Sequence, residues 1–290
     1  VAAPVTVGSA DKGKARVRFA DVPQVLHGDD PRWAPPLLAW ERYRLDQHRN
    51  PYFEEAEVAL FLARRAHRPV GRIAAHVPEP GAEGRFGFWS VGDDREVAVA
   101  LVEAAGEWLE ERGCTSMTGP WSFRPEDEPG ALVAGQAAGG TTGRPWRPRV
   151  EADLLEAIGF EAIEETCTWR LATSEVGPES PVAGDDVDRP RQAGAYVDPR
   201  LVLERIAAVP DLGRELAGTG LRGAWGLAKR ARAGRWEGCT VVRCDGTPEV
   251  EVPALVAAAG RAGYSWVVAP WSPDAGARPE TVHRRYRLRW

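Results

Sequence analysis

The run from Glu57 to Pro120 limits the possible folds more than any other part of the chain. Glu57-Val-Ala-Leu-Phe-Leu-Ala-Arg64 is an extended apolar run, Arg65 to Arg68 a charged turn, and Pro69-Val-Gly-Arg-Ile-Ala-Ala-His76 a second extended run. Two such runs joined by a few polar residues predict a β-hairpin. Arg85-Phe-Gly-Phe-Trp-Ser-Val91 supplies a third strand. Asp93-Asp94 then offers an N-cap, and Val97, Leu101, Ala104, Ala105, Trp108 and Leu109 recur at helical spacing. Gly113 stops that helix, and Ser116-Met-Thr-Gly-Pro120 returns as a strand. Three antiparallel strands, a helix and a strand that must cross back predict a mixed β-sheet flanked by helices, an α/β (α+β) architecture.

The flanks are weaker signals. Residues 1 to 15 read as a leader, and Arg16-Val-Arg-Phe19 alternates as a half-buried strand does. Val22 to Leu26 reads as a short helix, and Leu37 to Asp46 as a second helical stretch. Further on, Val150 to Ile158 predicts a helix closed by Gly159-Phe160, and Ala162 to Leu171 a strand. The polar stretch from Ser174 to Gln192 reads as a linker. Beyond it the pattern repeats in shorter form. Ala-Leu-Val, glycines and Gly119-Pro-Trp-Ser122 in the first half are matched by Ala-Leu-Val, glycines and Ala269-Pro-Trp-Ser272 in the second. The expected division is a first unit over 14–173, a linker over 174–192 and a second, shorter unit over 193–290.

Composition excludes several functions. The formal charge of −5 means that the molecule as a whole is not built to grip a polyanion. No run approaches the roughly 20 apolar residues that span a bilayer, and the start lacks a secretory pattern, so a cytoplasmic protein with no membrane partner is expected. Cys239 and Cys244 have four residues between them and no histidine nearby, which is poor zinc spacing, and no metal is expected. One basic-aromatic stretch, 222–236, interleaves Arg222, Lys229, Arg230, Arg232 and Arg235 with Trp225 and Trp236, and Arg284, Arg285, Arg287 and Arg289 follow near the end. These residues form either a solvated face or a local phosphate-binding surface.

Several short stretches then follow one another in a fixed order. They are Asp30-Pro-Arg-Trp-Ala-Pro-Pro-Leu37, Asn50-Pro-Tyr-Phe-Glu-Glu-Ala-Glu57, Leu60-Phe-Leu-Ala63, Val70-Gly-Arg-Ile-Ala-Ala75, Phe86-Gly-Phe-Trp89, the Asp93-Asp94 helix start and Gly119-Pro-Trp-Ser-Phe123. In this order, over residues 29 to 171, they resemble bacterial proteins of the GNAT superfamily of N-acyltransferases. The resemblance implies a bent sheet whose fourth and fifth strands part to admit the pantetheine arm of an acyl-CoA. It also implies acetyl-CoA or another acyl-CoA as donor, a small-molecule amine as acceptor, and direct attack without a covalent enzyme intermediate. Some relatives carry a second GNAT-like unit, which the internal repeat matches. Two other readings share the fold: a catalytically degenerate scaffold, and aminoacyl transfer from a tRNA held by 222–236.

On that resemblance Phe88, Trp89, Ser90 and Val91 line the donor slot, and Arg95 with the helix start faces the diphosphate. The family places a glycine-rich Arg/Gln-x-x-Gly-x-Gly/Ala loop before that helix, whereas this chain has Val91-Gly-Asp-Asp-Arg-Glu96. Two carboxylates there cap the helix and repel a phosphate. The tyrosine that relatives carry before the last helix has no counterpart in Thr141 to Arg149. Glu57 reads either as a general base, which would need a pKa raised by burial, or as a residue paired with arginine. Asp127 and Glu128, with Glu126, form either an acidic approach for an amine or a solvated turn. Trp121, Ser122 and His76 are the candidate substrate contacts, with core packing as the alternative for Trp121 and His76.

Overall fold

A computed structural model of the chain describes residues 3–33, 38–78, 81, 83–123, 128–140, 145–172, 174, 204–208, 225–228, 238–243, 253, 256, 266–269, 272, 274 and 276–290. Strand β1 is Val5–Ser9, and helix α1, Gly13–His27, follows it directly. Both differ from the sequence expectation of a leader and a strand at Arg16–Phe19. Phe19, Val22, Pro23 and His27 are buried at spacings of three, one and four, which is one face of a helix. The four-residue alternation was too short to separate that pattern from a strand.

The central run folds as the sequence predicts. After α2 (Leu38–Arg44) and α3 (Tyr52–Glu55), the strands β2 (Glu57–Arg65) and β3 (Arg68–Val77) form the hairpin, with Ala66 at a positive φ of 52° in its two-residue turn. Strand β4 (Glu83–Val91) pairs antiparallel with β3. Helix α4 (Arg95–Glu110) starts at Asp94, whose side chain accepts from the Val97 N–H. It buries Val97, Leu101, Ala105 and Leu109 on the sheet, each fully buried valine or leucine contributing about 1.5–3 kcal/mol. Next come β5 (Ser116–Gly119), β6 (Ala131–Ala134), α5 (Val150–Ile158) and β7 (Glu161–Ala172). The later strands are β8 (Glu204–Ala208), β9 (Trp225–Ala228), β10 (Gly238–Arg243), β11 (Trp266–Ala269) and β12 (Thr281–Arg289).

These strands form one sheet in the order β1-β2-β3-β4-β5-β12-β7-β11-β10-β9-β8, with β6 paired to β12. The order contains the same motif twice. From β2 through β5 to β12 the pairings run antiparallel, antiparallel, parallel, antiparallel. From β8 through β11 to β7 they run the same way. The last described strand, β12, therefore completes the first half of the sheet, between β5 and β7, although its sequence position places it in the expected second unit. Short β5 and long β7 each need an edge partner, and β12 serves both. The expected linker falls largely outside the described residues.

Two cores lie on the two faces of the first half. Ile73, Ala75, Phe86, Trp89 and Val91 pack with α4 and α5 on one face. Phe19, Leu60, Leu62, Ala74, Phe88 and Phe123 pack with α1 and α3 on the other. Among the described residues no helix is long and apolar enough to cross a membrane.

Candidate functional site

The two faces communicate at one place, where β4 and β5 separate. Their parallel ladder covers only Glu83–Arg85 against Ser116–Thr118. Beyond it β5 leaves through a cis Gly119–Pro120 peptide, and β4 bulges at Phe88, whose φ is +50°. The backbones still cross closely there. The Trp121 N–H donates to the Phe86 carbonyl at 2.6 Å, and a Cβ on Gly87 would collide with the Trp121 carbonyl. A bulge turns a main-chain N–H out of the ladder, and a buried N–H needs an acceptor.

Side chains supply the acceptors. The Phe88 N–H donates to Ser122 Oγ at 3.0 Å and to Glu128 Oε2 at 3.2 Å, and the Ser122 hydroxyl donates to Glu128 Oε2 in turn. Three residues on, the Val91 N–H donates to Glu151 Oε1 at 3.1 Å. Arg147 links the two carboxylates. Its Nη2 donates to Glu128 Oε1 at 3.1 Å, its Nη1 to Ser90 Oγ at 3.2 Å, and its Nε lies 3.7 Å from Glu151 Oε2. His27 Nε2, from α1, lies 3.2 Å from both Ser90 Oγ and Glu151 Oε1. Glu151 comes from α5 on the opposite face, so its carboxylate passes through the opening to reach α1. The strands part, and the space between them is filled by a polar network.

This network is buried and charged. Glu128 is 2% exposed, Glu151 1% and Arg147 5%, and Glu41, Arg44 and Arg72 are buried beside them. Burial alone would lower the Arg147 pKa, but Glu151 and Glu128 outweigh it and the net shift is upward. Burial pushes the Glu41 carboxyl up, while Arg44 and then Arg72 more than reverse it, so it is held below its ordinary value. Burial brings Arg72 down to about 10 despite the pull of Glu41. Clustered buried ionisable groups in a break between strands make this place the candidate functional site.

The residues singled out from sequence are placed as follows. Glu128, Ser122, Phe88 and Ser90 come together at the bulge. Trp89 points to the other face, its Nε1 donating to the Glu151 carbonyl at 3.1 Å, and Val91 joins through its amide. His76 is fully buried. Tyr52 donates its hydroxyl to Nδ1 at 2.6 Å, and Nε2 donates to the Trp121 carbonyl at 3.1 Å, which fixes the neutral tautomer. Burial brings the His76 pKa down to about 3. Its role here is to hold the Trp121 loop. Trp121 lies between the guanidinium groups of Arg85 and Arg285, each 4.6 Å from its ring centre.

Other candidates lie apart from the bulge. Glu57 is exposed and paired with Arg112 at 2.9 Å. Arg95 is exposed in the first turn of α4, where Arg65 already pairs with Asp94 at 2.8 Å and Glu96 at 2.7 Å. Asp127 and Trp271 lie outside the described residues, as does most of 222–236. Arg284 pairs with Glu156 and Glu165, Arg285 with Glu164, and Arg287 with Glu83. Those three arginines are thus spent on carboxylates rather than held ready for phosphate. Sequence reading missed His27, Arg147 and Glu151. The one signal on the page was the i,i+4 spacing of Arg147 and Glu151 at the start of α5. Among the described residues no group of three or more His, Cys, Asp or Glu is placed to hold a metal ion.

No protein-family model matches the chain. Among curated proteins it is similar to a "Bacterial ceramide synthase" of Caulobacter vibrioides (strain NA1000 / CB15N), 40% identical over 125 residues, covering 41% of this chain and 33% of that protein. It is also similar to "Protein YghO" of Escherichia coli (strain K12), 29% identical over 220 residues, covering 72% of this chain and 54% of that protein. The matches thus span a third to about half of each relative. Among solved structures it resembles a tandem GNAT protein from the clavulanic acid biosynthesis pathway, solved without AcCoA. That match has a TM-score of 0.57 and 13% identity over 98% of both chains. A probable N-acyltransferase of unknown function from Enterococcus faecalis V583 superposes at TM-score 0.50 and 10% identity, over 98% of this chain and 72% of that one. At such identities the likeness is one of fold, and the chain has the GNAT fold.

Proposed function

We propose that this GNAT-fold chain is an N-acyltransferase that joins the acyl group of a thioester to the primary amine of a long-chain base. One observation carries the reading: a buried carboxylate, Glu128, sits on the bulge amide of Phe88 where β4 and β5 part. The substrate class is suggested by the Caulobacter relative, since a ceramide is the N-acyl amide of a long-chain amino alcohol.

The chemistry needs an uncharged amine, a base for its proton and a donor for the developing charge on the carbonyl oxygen. As the C–N bond forms and the C–S bond breaks, Glu128 takes the proton from the amine and returns it to the departing thiolate. Arg147 engages Glu128 Oε1, so Oε2 is the oxygen presented to the amine. The Phe88 N–H, freed from Ser122 and Glu128, faces the thioester oxygen. Ser122 holds the carboxylate in place through its hydroxyl.

A coenzyme A donor fits at one end only. At the bulge the thioester would take the Phe88 amide from Ser122 and Glu128, whereas the start of α4 presents Asp94 and Glu96, where a diphosphate would be repelled. In this reading the donor is held by its acyl and thioester portion and not by that helix. The same observation favours the second reading, a scaffold that keeps the fold without catalysis.

Incubating the full chain with acyl-CoA donors from acetyl to palmitoyl and a long-chain base separates the two. Mass spectrometry should detect the amide, and Glu128→Gln should lower kcat by about 10²–10⁴. No amide from any donor with the unaltered chain would leave only the scaffold. Unchanged turnover in Glu128→Gln would remove Glu128 as the base.

A further inference from the structure

Asn50-Pro-Tyr-Phe53, within one of the stretches that resemble GNAT proteins, supplies no group to the transfer chemistry, yet its contacts converge on the residue that holds the base. Asn50 is fully buried. Its Nδ2 donates to the Arg44 carbonyl at 2.7 Å and its Oδ1 accepts the Tyr52 N–H at 3.0 Å, which fixes the start of α3. Tyr52 thereby reaches both neighbours of Ser122. Its hydroxyl donates to His76 Nδ1 at 2.6 Å, and His76 Nε2 donates to the Trp121 carbonyl at 3.1 Å. Its ring stacks on that of Phe123, 4.8 Å between centres and 25° between planes. Phe53 meets the same ring edge-on at 5.5 Å.

Ser122 is the central residue of a tight turn. The Trp121 carbonyl accepts the Phe123 N–H at 2.8 Å, an i→i+2 bond, and the same carbonyl accepts from His76. Phe123 has a φ of +79°, and its ring lies 4.8 Å from that of Phe88, whose φ is +50°. Aromatic residues keep a positive φ only where their surroundings over-determine it. Beside these two rings the Ser122 hydroxyl accepts the Phe88 N–H and donates to Glu128 Oε2. Packing alone does not require the polar part of this arrangement. Phenylalanine and leucine in place of Tyr52 and His76 would fill much the same space with no buried polar group to satisfy. A polar chain whose every donor has an acceptor fixes one arrangement out of several.

We infer that Tyr52 and His76 are positioning residues, which hold the Trp121–Phe123 turn so that Ser122 keeps the Glu128 carboxylate and the Phe88 amide in place. This assignment rests on the acyl-transfer reading, in which Glu128 is the base. Tyr52 acts on the turn in two ways. Through His76 its hydroxyl holds the Trp121 side, and its ring holds the Phe123 side. Tyr52→Phe removes the first hold and keeps the second. A misplacement of about 1 Å at a reacting group lowers turnover by as much as about 10²-fold.

The test uses the full chain with Tyr52→Phe, His76→Gln and His76→Leu. Amide hydrogen exchange, read at Phe88 and at Leu101 in the middle of α4, needs no substrate. In Tyr52→Phe the Phe88 amide should exchange about 10-fold faster, the factor that one lost buried hydrogen bond gives, while Leu101 keeps its rate. With an acyl donor and a long-chain base, kcat should fall roughly 10- to 100-fold and KM should stay unchanged. His76→Gln, which keeps a donor for the Trp121 carbonyl, should retain more turnover and slower Phe88 exchange than His76→Leu. Unchanged exchange at Phe88 overturns the assignment. An equal rise at Phe88 and Leu101 overturns it as well, because the variant would then have loosened the whole fold. A raised KM with kcat intact means that Tyr52 touches a substrate rather than holding the turn, and is equally fatal. Equal behaviour of His76→Gln and His76→Leu removes His76 from the link. Faster exchange confined to Phe88, with no amide formed from any donor by the unaltered chain, would retain the hold on the turn and sink the transfer reading instead.

Discussion

Arg147 and Arg284 each bridge two glutamates, and their surroundings make the two bridges different objects. Arg147 joins Glu128 and Glu151 in the interior, with side-chain exposures of 6%, 2% and 2%. Arg284 joins Glu156 and Glu165 on the outside of β7 and β12, with exposures of 28%, 40% and 47%. The outer bridge competes with water and contributes little. The inner bridge has lost its water, so its attraction offsets a desolvation cost of several kcal/mol per ion and leaves little net stability. An apolar filling of the same space would leave the Phe88 and Val91 amides without acceptors. The inner bridge thus caps two backbone amides where the strands part, which the outer bridge does not.

The largest expected effect is on the inner bridge. Arg147→Ala strands two buried carboxylates and should cost about 3–5 kcal/mol in denaturant unfolding. A loss below 1 kcal/mol would erase the contrast. The buried His76 comes next. Its folded pKa of about 3 lies below its usual 6.5, so the unfolded chain takes up the proton first. Stability from this residue is full above about pH 6.5 and lost as pH falls toward 3. Between pH 7 and pH 5 the loss should be about 2 kcal/mol, and His76→Gln should remove that part of the slope. Should the variant keep the same pH dependence, the histidine is not the group responsible. Smallest of all, Arg284→Ala should cost about 1 kcal/mol or less, and the difference should shrink further in high salt.

The parts of the fold that were legible are those encoded within a few residues. The β2–β3 hairpin shows as two apolar runs and a charged turn, and α4 shows as Asp94 followed by Val97, Leu101 and Leu109 at helical spacing. The α1 helix was hidden because four alternating residues suit a strand as well as one helical turn. The GNAT fold itself was legible through the order of the motifs. The site was legible by halves. Ser122, Glu128 and Phe88 fall in or beside the resembling stretches. His27, Arg147 and Glu151 come from α1, the segment before α5 and α5 itself, and nothing local tells a glutamate that will be buried from one that faces water. Glu151 in the first turn of α5 reads as an ordinary helix-start acid. Only the opening between β4 and β5 gives it a different place.

The position of β12 has a consequence for synthesis. During translation the strands from β1 to β7 emerge with a vacancy between β5 and β7 that only the much later β12 fills. Because β8 to β11 lie between β7 and β12 in the sequence, they must be synthesised before the first half can close. A product lacking β12 would expose the unsatisfied borders of β5 and β7 to proteases and chaperones.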